Sequence, residues 1–216
     1  MASVLHFAPF DSAFRFALHV CAGALLATPG LLAHATALNI SVSDAAGKPL
    51  LDAVALLEPA VGKAPVKPMA DVEISQAKRQ FAPRVTLITL GTKVTFPNFD
   101  TVRHHVYSFS PVKTFELKLY AGVPNAPVTF DKPGVAVLGC NIHDSMAAWV
   151  VVTDTPWFAR SAANGRARID GVPAGNYRLR LWHAGLGPGI EPAPVAITIG
   201  AADAEHSARL AVSTEP

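Results

Sequence analysis

The sequence predicts an all-β protein assembled from β-sandwiches, and three observations lead there. Short runs rich in Val, Thr, Leu and Phe recur along the chain, each bounded by Gly, Pro, Asn or Asp, the strand-and-turn pattern of sandwiches. Beyond the N-terminal segment no stretch sustains helical periodicity. Eighteen prolines suit strand edges and loops better than helix interiors.

The N-terminal segment stands apart from that pattern. "FRFALHVCAGALLATPGLLAHATA" places Arg15 ahead of a long apolar run that ends in small residues, with Ala33-His34-Ala35 or Ala35-Thr36-Ala37 as A-x-A cleavage sites. This is the composition of a secretory signal peptide over residues 1–37, and it predicts export to the periplasm. The alternative is a retained membrane anchor, against which Pro29 and Gly30 interrupt the run. "LHVC" lacks the small residues that a lipoprotein site wants before Cys21.

A mature chain starting near Leu38 holds 179 residues (216 − 37) and keeps a net charge of +2, with 17 basic and 15 acidic residues. Nucleic acid is not expected as a partner, since it calls for a concentrated basic surface. No later apolar run is long enough to span a bilayer, so no membrane contact is expected of the mature form. Loss of Cys21 with the signal leaves Cys140 as the single thiol, which cannot close an internal disulfide. A lone thiol in an oxidising compartment is usually eliminated, buried or bound, and this raises the expectation of a ligand.

In chain order the predicted strands are "LNISVSD", "AVALLEP", "RVTLITLGTKVTFPN", "HHVYSFS", "KTFELKLY", "PVTFDK", "VAVLGC", "AAWVVVTD", "RARIDG", "YRLRLWH", "VAITIG" and "ARLAVS". Two breaks divide them: the Pro/Gly/Lys stretch "EPAVGKAPVKPMAD" (58–71) and "TDTPWFARSAANG" (153–165). The central block, residues 66–155, carries every candidate metal ligand except His183. The flanks, 38–62 and 156–216, read as halves of one small module. "SVSDAAGKPLLDAVALLEP" and "SAANGRARIDGVPAGNYRLRLWHAGL", with its Gly-turn, strand, "VPAG-Y" and further strand, resemble carboxypeptidase regulatory-like domains. That resemblance implies a second small sandwich of seven strands with the central block inserted at an exposed turn, where chain ends lie close together. One continuous multi-strand sandwich is the competing organisation.

The chemistry concentrates in "GVAVLGCNIHDSMAAWVVV" (134–152), which sets Cys140, His143 and Met146 between two strand-like runs. Taken singly, these residues read as a buried small hydrophobe, a loop histidine and core filling. Taken together they do not. For a chain with two Cys, eight His and three Met, C-x2-H-x2-M arises by chance roughly once in a thousand. "FPNFDTVRHHVYSFS" supplies a second imidazole from His104 or His105. Two imidazoles and a thiolate in a trigonal plane, with a weak axial thioether, form the blue-copper arrangement. Zinc favours a more symmetric set and rarely accepts thioether.

On these motifs residues 66–154 resemble the cupredoxins. The loop matches the amicyanin-like C-x2-H-x2-M, and "GTKVTFPN" followed by "RHHVYS" resembles the segment where a ligand His precedes Asn-Val. The longer pattern "FPN-D…HHVYSFS…K-FEL-LY…GCNIHDSM" is similar to a periplasmic cupredoxin group whose label refers to methylamine utilisation. The resemblance implies a Greek-key sandwich, one type 1 copper ion and ligands His104, Cys140, His143 and Met146. His105 stands where the family has Asn, which leaves the choice between His104 and His105 open. Adjacent strand residues point to opposite faces, so only one of the two can face a metal.

The implied activity is one-electron transfer to a periplasmic redox partner protein. His143 would be the electron port, and Met146, Ala147 and Ala148 an apolar docking surround suited to brief encounters. The Asn141 amide is expected to donate to the Cys140 sulfur. Asp144 reads as solvated, and His183 as a structural or surface histidine in preference to a second metal site. Neither a G-x-S-x-G elbow nor a strand–helix phosphate loop occurs, so the chain is not expected to be an enzyme, and no small-molecule substrate is evident. The competing functions are a copper carrier or sensor without redox turnover and a non-metal binding sandwich.

Overall fold

The structure is a computed structural model and describes residues 1–2, 36–187 and 189–212. The signal-peptide reading falls almost wholly outside these residues. The described residues form strands and no helix, as an all-β protein requires. In chain order these are β1 (Thr36–Ser43), β2 (Val54–Pro59), β3 (Val72–Glu73), β4 (Ser75–Ala77), β5 (Gln80–Ala82), β6 (Val85–Thr89), β7 (Lys93–Thr95), β8 (His104–Ser110) and β9 (Lys113–Tyr120). They continue with β10 (Val128–Thr129), β11 (Gly134–Cys140), β12 (Ala147–Thr153), β13 (Phe158–Arg160), β14 (Arg166–Val172), β15 (Gly175–Trp182), β16 (Val195–Ile199) and β17 (Ala204–Arg209).

The strands outside 72–153 form two sheets, β14-β1-β17 and β13-β2-β15-β16. Between them lies a core that includes Leu38, Ile40, Leu57, Ile169, Leu179 and Ile199. β1 runs antiparallel to β14 and parallel to β17. It starts at Thr36, so it includes two residues of the segment read as a signal. Both are buried, and the Ala37 amide donates to Asp203 Oδ1 at 2.9 Å.

The strands of the central block form a five-stranded sheet, β6-β12-β11-β8-β9, a three-stranded sheet, β10-β7-β3, and the β4–β5 hairpin. Their core contains Phe96, Phe130, Val106, Leu138, Cys140 and Met146. A third cluster, Val54, Leu56, Val85 and Val151, joins the outer faces of β2, β6 and β12, with Trp149, Phe158 and Trp182 packed against it.

That third cluster explains two runs without polar alternation. In β2, Ala55 and Leu57 face the flanking core while Val54 and Leu56 face the seam. In β12, Ala148, Val150 and Val152 face the central core and Val151 faces the seam. A strand covered on both faces reads as continuous apolar sequence.

The single run "RVTLITLGTKVTFPN" is broken into β6 and β7 at Gly91, whose φ of 83° only glycine adopts freely. Three short strands, β3 to β5, lie in "DVEISQAKRQFAP", where the sequence pattern shows no strand signal. The β4–β5 turn is made by Lys78 and Arg79 at φ 53° and 56°.

Candidate metal centre

Strand pairing brings the candidate ligands together from distant positions. β8 and β11 run antiparallel, with Cys140 opposite Val106 and Gly139 opposite Tyr107. Cys140 therefore ends β11 beside the start of β8, where His104 lies. Side chains two apart share a face, so His104 and Val106 both point into the core that holds Cys140. His104 is 0% exposed and Cys140 3%. The loop 141–146 then returns the chain to β12 and carries His143, whose carbonyl accepts from the Met146 amide at 2.9 Å.

One ligating atom each from His104, Cys140 and His143 lies within 4.8 Å of the others, the only such grouping of His, Cys, Asp or Glu among the described residues. Cys140 Sγ is 3.5 Å from His104 Nδ1, and the two imidazole ring centroids are 5.1 Å apart. His143 Nδ1 is buried and has no hydrogen-bond partner. An orphaned buried nitrogen costs free energy unless something coordinates it. The donor set and this orphan fit a soft transition-metal ion such as copper. Met146 is 2% exposed in the same core cluster and lines the same cavity as Cys140.

His105 lies on the opposite face of β8. Its Nε2 is 2.8 Å from Glu116 Oε1, a close contact whose geometry does not complete a hydrogen bond, and its ring meets Tyr107 edge-on at 6.4 Å. It is not part of the cluster. Opposite it, β9 carries an extra residue between Leu117 and Tyr120, a bulge beside the site.

Asp100, which sequence reading passed over, lies against His104. Its Oδ2 is 2.8 Å from His104 Nε2. The Lys78 amide donates to Oδ1 at 2.6 Å and the Arg79 amide to Oδ2 at 2.9 Å. The Arg79 amide above all, with His104 and the Lys78 amide, holds the carboxyl below the usual carboxylate range. The available signal was a carboxylate four residues before a ligand candidate, in a loop started by Asn98, whose Oδ1 accepts from the Asp100 amide at 2.9 Å. Tyr120, opposite His104 on β9, donates to the Phe96 carbonyl at 2.6 Å and also contacts Gln76 Nε2. Burial pushes its pKa up to about 12.

Two smaller expectations are corrected, and His183 takes the structural role expected of it. The Asn141 amide donates to the His105 carbonyl at 3.1 Å, extending the β8–β11 ladder, so it is not directed at the Cys140 sulfur. Met146 and Ala148 are buried and cannot touch a partner; the exposed large apolar side chains of the neighbouring loops are Phe99, Val102 and Ile142. His183 uses both ring nitrogens on backbone, with Nδ1 accepting from Gly185 and Nε2 facing the Leu51 carbonyl at 3.1 Å.

The solved structures that this all-β chain resembles include cupredoxins. The reduced Cu(I) form of an amicyanin variant is 20% identical, with 40% of this chain aligned to 92% of that one and a TM-score of 0.36. A purple cupredoxin from Nitrosopumilus maritimus is 22% identical over 38% of this chain and 100% of that one, with a TM-score of 0.34. A Cu-containing nitrite reductase from Thermus scotoductus SA-01 is 24% identical over 52% of this chain but only 28% of its own, with a TM-score of 0.37. No protein-family model and no curated protein sequence matches the chain.

Proposed function

We propose that the chain is an exported type 1 copper protein that carries single electrons. One copper ion would be held by His104, Cys140 and His143, with Met146 as a further thioether ligand. The observation that carries this reading is the convergence of His104, Cys140 and His143 at one buried strand end, with His143 Nδ1 left without a protein partner. When bound, copper in such a set supplies a one-electron couple between Cu(I) and Cu(II).

The chain's own residues do the rest. β8 and β11 fix His104 and Cys140 in register, so the ligands need little rearrangement when the charge changes. The surrounding core of Phe96, Phe130 and Leu138 excludes water and lowers the local dielectric. His143 is the half-buried member of the cluster and is the proposed route for electrons to the surface. Ile142 beside it, and Phe99 and Val102 ahead of His104, offer the apolar contact that a transient periplasmic redox partner uses. The flanking strands are proposed as a separate carboxypeptidase regulatory-like sandwich around the copper block. Cleavage after Ala35 suits β1 better than cleavage after Ala37, because it leaves Thr36 and Ala37 in the strand.

The test is copper loading of the exported protein, followed by repeated reduction and reoxidation. One copper per chain that cycles reversibly is expected, and Cys140→Ala is expected to lose the cycle while keeping its strand signature. Copper that binds but does not cycle makes the chain a carrier or sensor. Turnover of nitrite by the loaded protein would contradict the carrier reading in favour of an enzyme.

A further inference from the structure

Asp100 carries more structure than a solvent-facing loop carboxylate needs. Its side chain is 15% exposed, and both oxygens are engaged. Oδ1 accepts from the Lys78 amide, while Oδ2 accepts from the Arg79 amide and meets His104 Nε2 at 2.8 Å. Both amides sit at the tip of the β4–β5 hairpin, where Lys78 and Arg79 adopt φ of 53° and 56°. Non-glycine residues in the left-handed region cost free energy, so two in succession mark a turn held by its surroundings. Asn98 fixes the other side, since its Oδ1 accepts from the Asp100 amide and its Nδ2 donates to the Val102 carbonyl at 2.9 Å. Asp100 is thus held at both its carboxylate and its backbone amide.

The consequence falls on His104. Its ring is fully buried and has two nitrogens. An ionised carboxylate only accepts, so Nε2 must carry the hydrogen. Nδ1 is then left with its lone pair facing Cys140 Sγ at 3.5 Å. We infer that Asp100 is a positioning residue for the metal centre: it fixes His104 in the Nε2–H tautomer, aims Nδ1 at the ion, and lends the imidazole negative charge that favours Cu(II) over Cu(I). The β4–β5 hairpin is the clamp that holds Asp100 in place. A carboxylate behind a ligating imidazole raises its basicity, and the higher oxidation state gains more from that than the lower.

This inference rests on the copper reading above, and the experiment separates the two. The first measurement uses the metal-free wild-type protein, with ¹⁵N shifts of the His104 ring read by NMR. Protonated Nε2 and bare Nδ1 are expected; a hydrogen on Nδ1 overturns the assignment whatever the protein binds. The second uses Asp100→Asn, which keeps an acceptor for His104 but removes the charge. Cu(II) affinity is expected to fall by about 10- to 100-fold, as for other partners of ligating histidines. Cu(I) affinity should fall less, so the Cu(II)-to-Cu(I) affinity ratio drops and the reduction potential rises. An unchanged ratio, with or without lower stability, means that Asp100 only pins the hairpin, and the inference fails. If wild-type protein takes no copper, the copper reading fails and the Cu(II) preference assigned to Asp100 fails with it. The tautomer measurement still decides whether Asp100 sets the hydrogen of His104. If Asp100→Asn does not fold, the wild-type tautomer decides alone.

Discussion

Gly165→Ala tests whether the flanking strands form a core of their own. Gly165 lies in the turn between β13 and β14 at φ 74°, and a Cβ placed there falls 2.4 Å from the Val42 carbonyl oxygen and 3.2 Å from the Leu50 nitrogen. These are backbone atoms and cannot swing aside as a side chain would. They are also tied in place: the Val42 amide donates to the Gly165 carbonyl at 2.8 Å, and the Leu50 amide donates to the Val42 carbonyl at 3.0 Å. The left-handed backbone costs an alanine about 1–2 kcal/mol. The forced approach adds about 1–3 kcal/mol, as overpacking does elsewhere. The sum is about 2–5 kcal/mol, which for a chain of this size lowers Tm by roughly 4–20 °C. Denaturant unfolding followed by tryptophan emission reads this directly, since Trp157 packs on the flanking core and lies edge-on to Tyr177 at 5.5 Å. Under native conditions the copper spectrum is expected to stay as in wild type, because the proposed ligands Cys140 and Met146 belong to the other core. A loss below about 0.5 kcal/mol refutes the steric account of the turn. A copper spectrum that changes together with stability refutes the separateness of the two cores.

Three further outcomes follow from the site. His104→Ala is expected to abolish tight copper binding, whereas His105→Gln is expected to keep it, because His105 points to Glu116 on the opposite face; isothermal titration with copper tells them apart. Phe130→Ala removes a fully buried ring that lies edge-on to Phe115 at 6.2 Å, and should cost about 3–5 kcal/mol in chemical unfolding. Tyr120 has a folded pKa of about 12, above its ordinary value of 10.0, so the stability it adds is complete below pH 10 and is lost as pH rises towards 12. After discounting for solvent around this half-buried ring, Tyr120→Phe should flatten that decline by about 1 kcal/mol, and an identical pH profile in both proteins would contradict it.

Much of the fold was legible because its signals are local. "HHVYSFS" and "KTFELKLY" are β8 and β9 residue for residue, since alternation and the turn between them set their ends. The nearness of Cys140, at the end of β11, to His143 in the loop after it was legible from their spacing. What the sequence concealed depends on long-range contact. The seam formed by Val54, Leu56, Val85 and Val151 removes the alternation that would have shown which face of β2 and β12 points where. The hairpin β4–β5 is two three-residue strands around a Lys-Arg turn, too short for periodicity and without glycine at the left-handed positions. The same hairpin holds Asp100, so the residue behind His104 was hidden for the reason that its clamp was. Which of His104 and His105 faces the core depends on the pairing of β8 with β11, and His104 is the one that lies there.

The measurement closest to the central claim is the visible and paramagnetic resonance spectrum of the Cu(II)-loaded protein, beside that of Cys140→Ala. Thiolate coordination in a His2Cys set predicts an intense sulfur-to-copper charge-transfer band that is absent from Cys140→Ala. A colourless Cu(II) protein, or a band unchanged by Cys140→Ala, would contradict a type 1 centre at His104, Cys140 and His143.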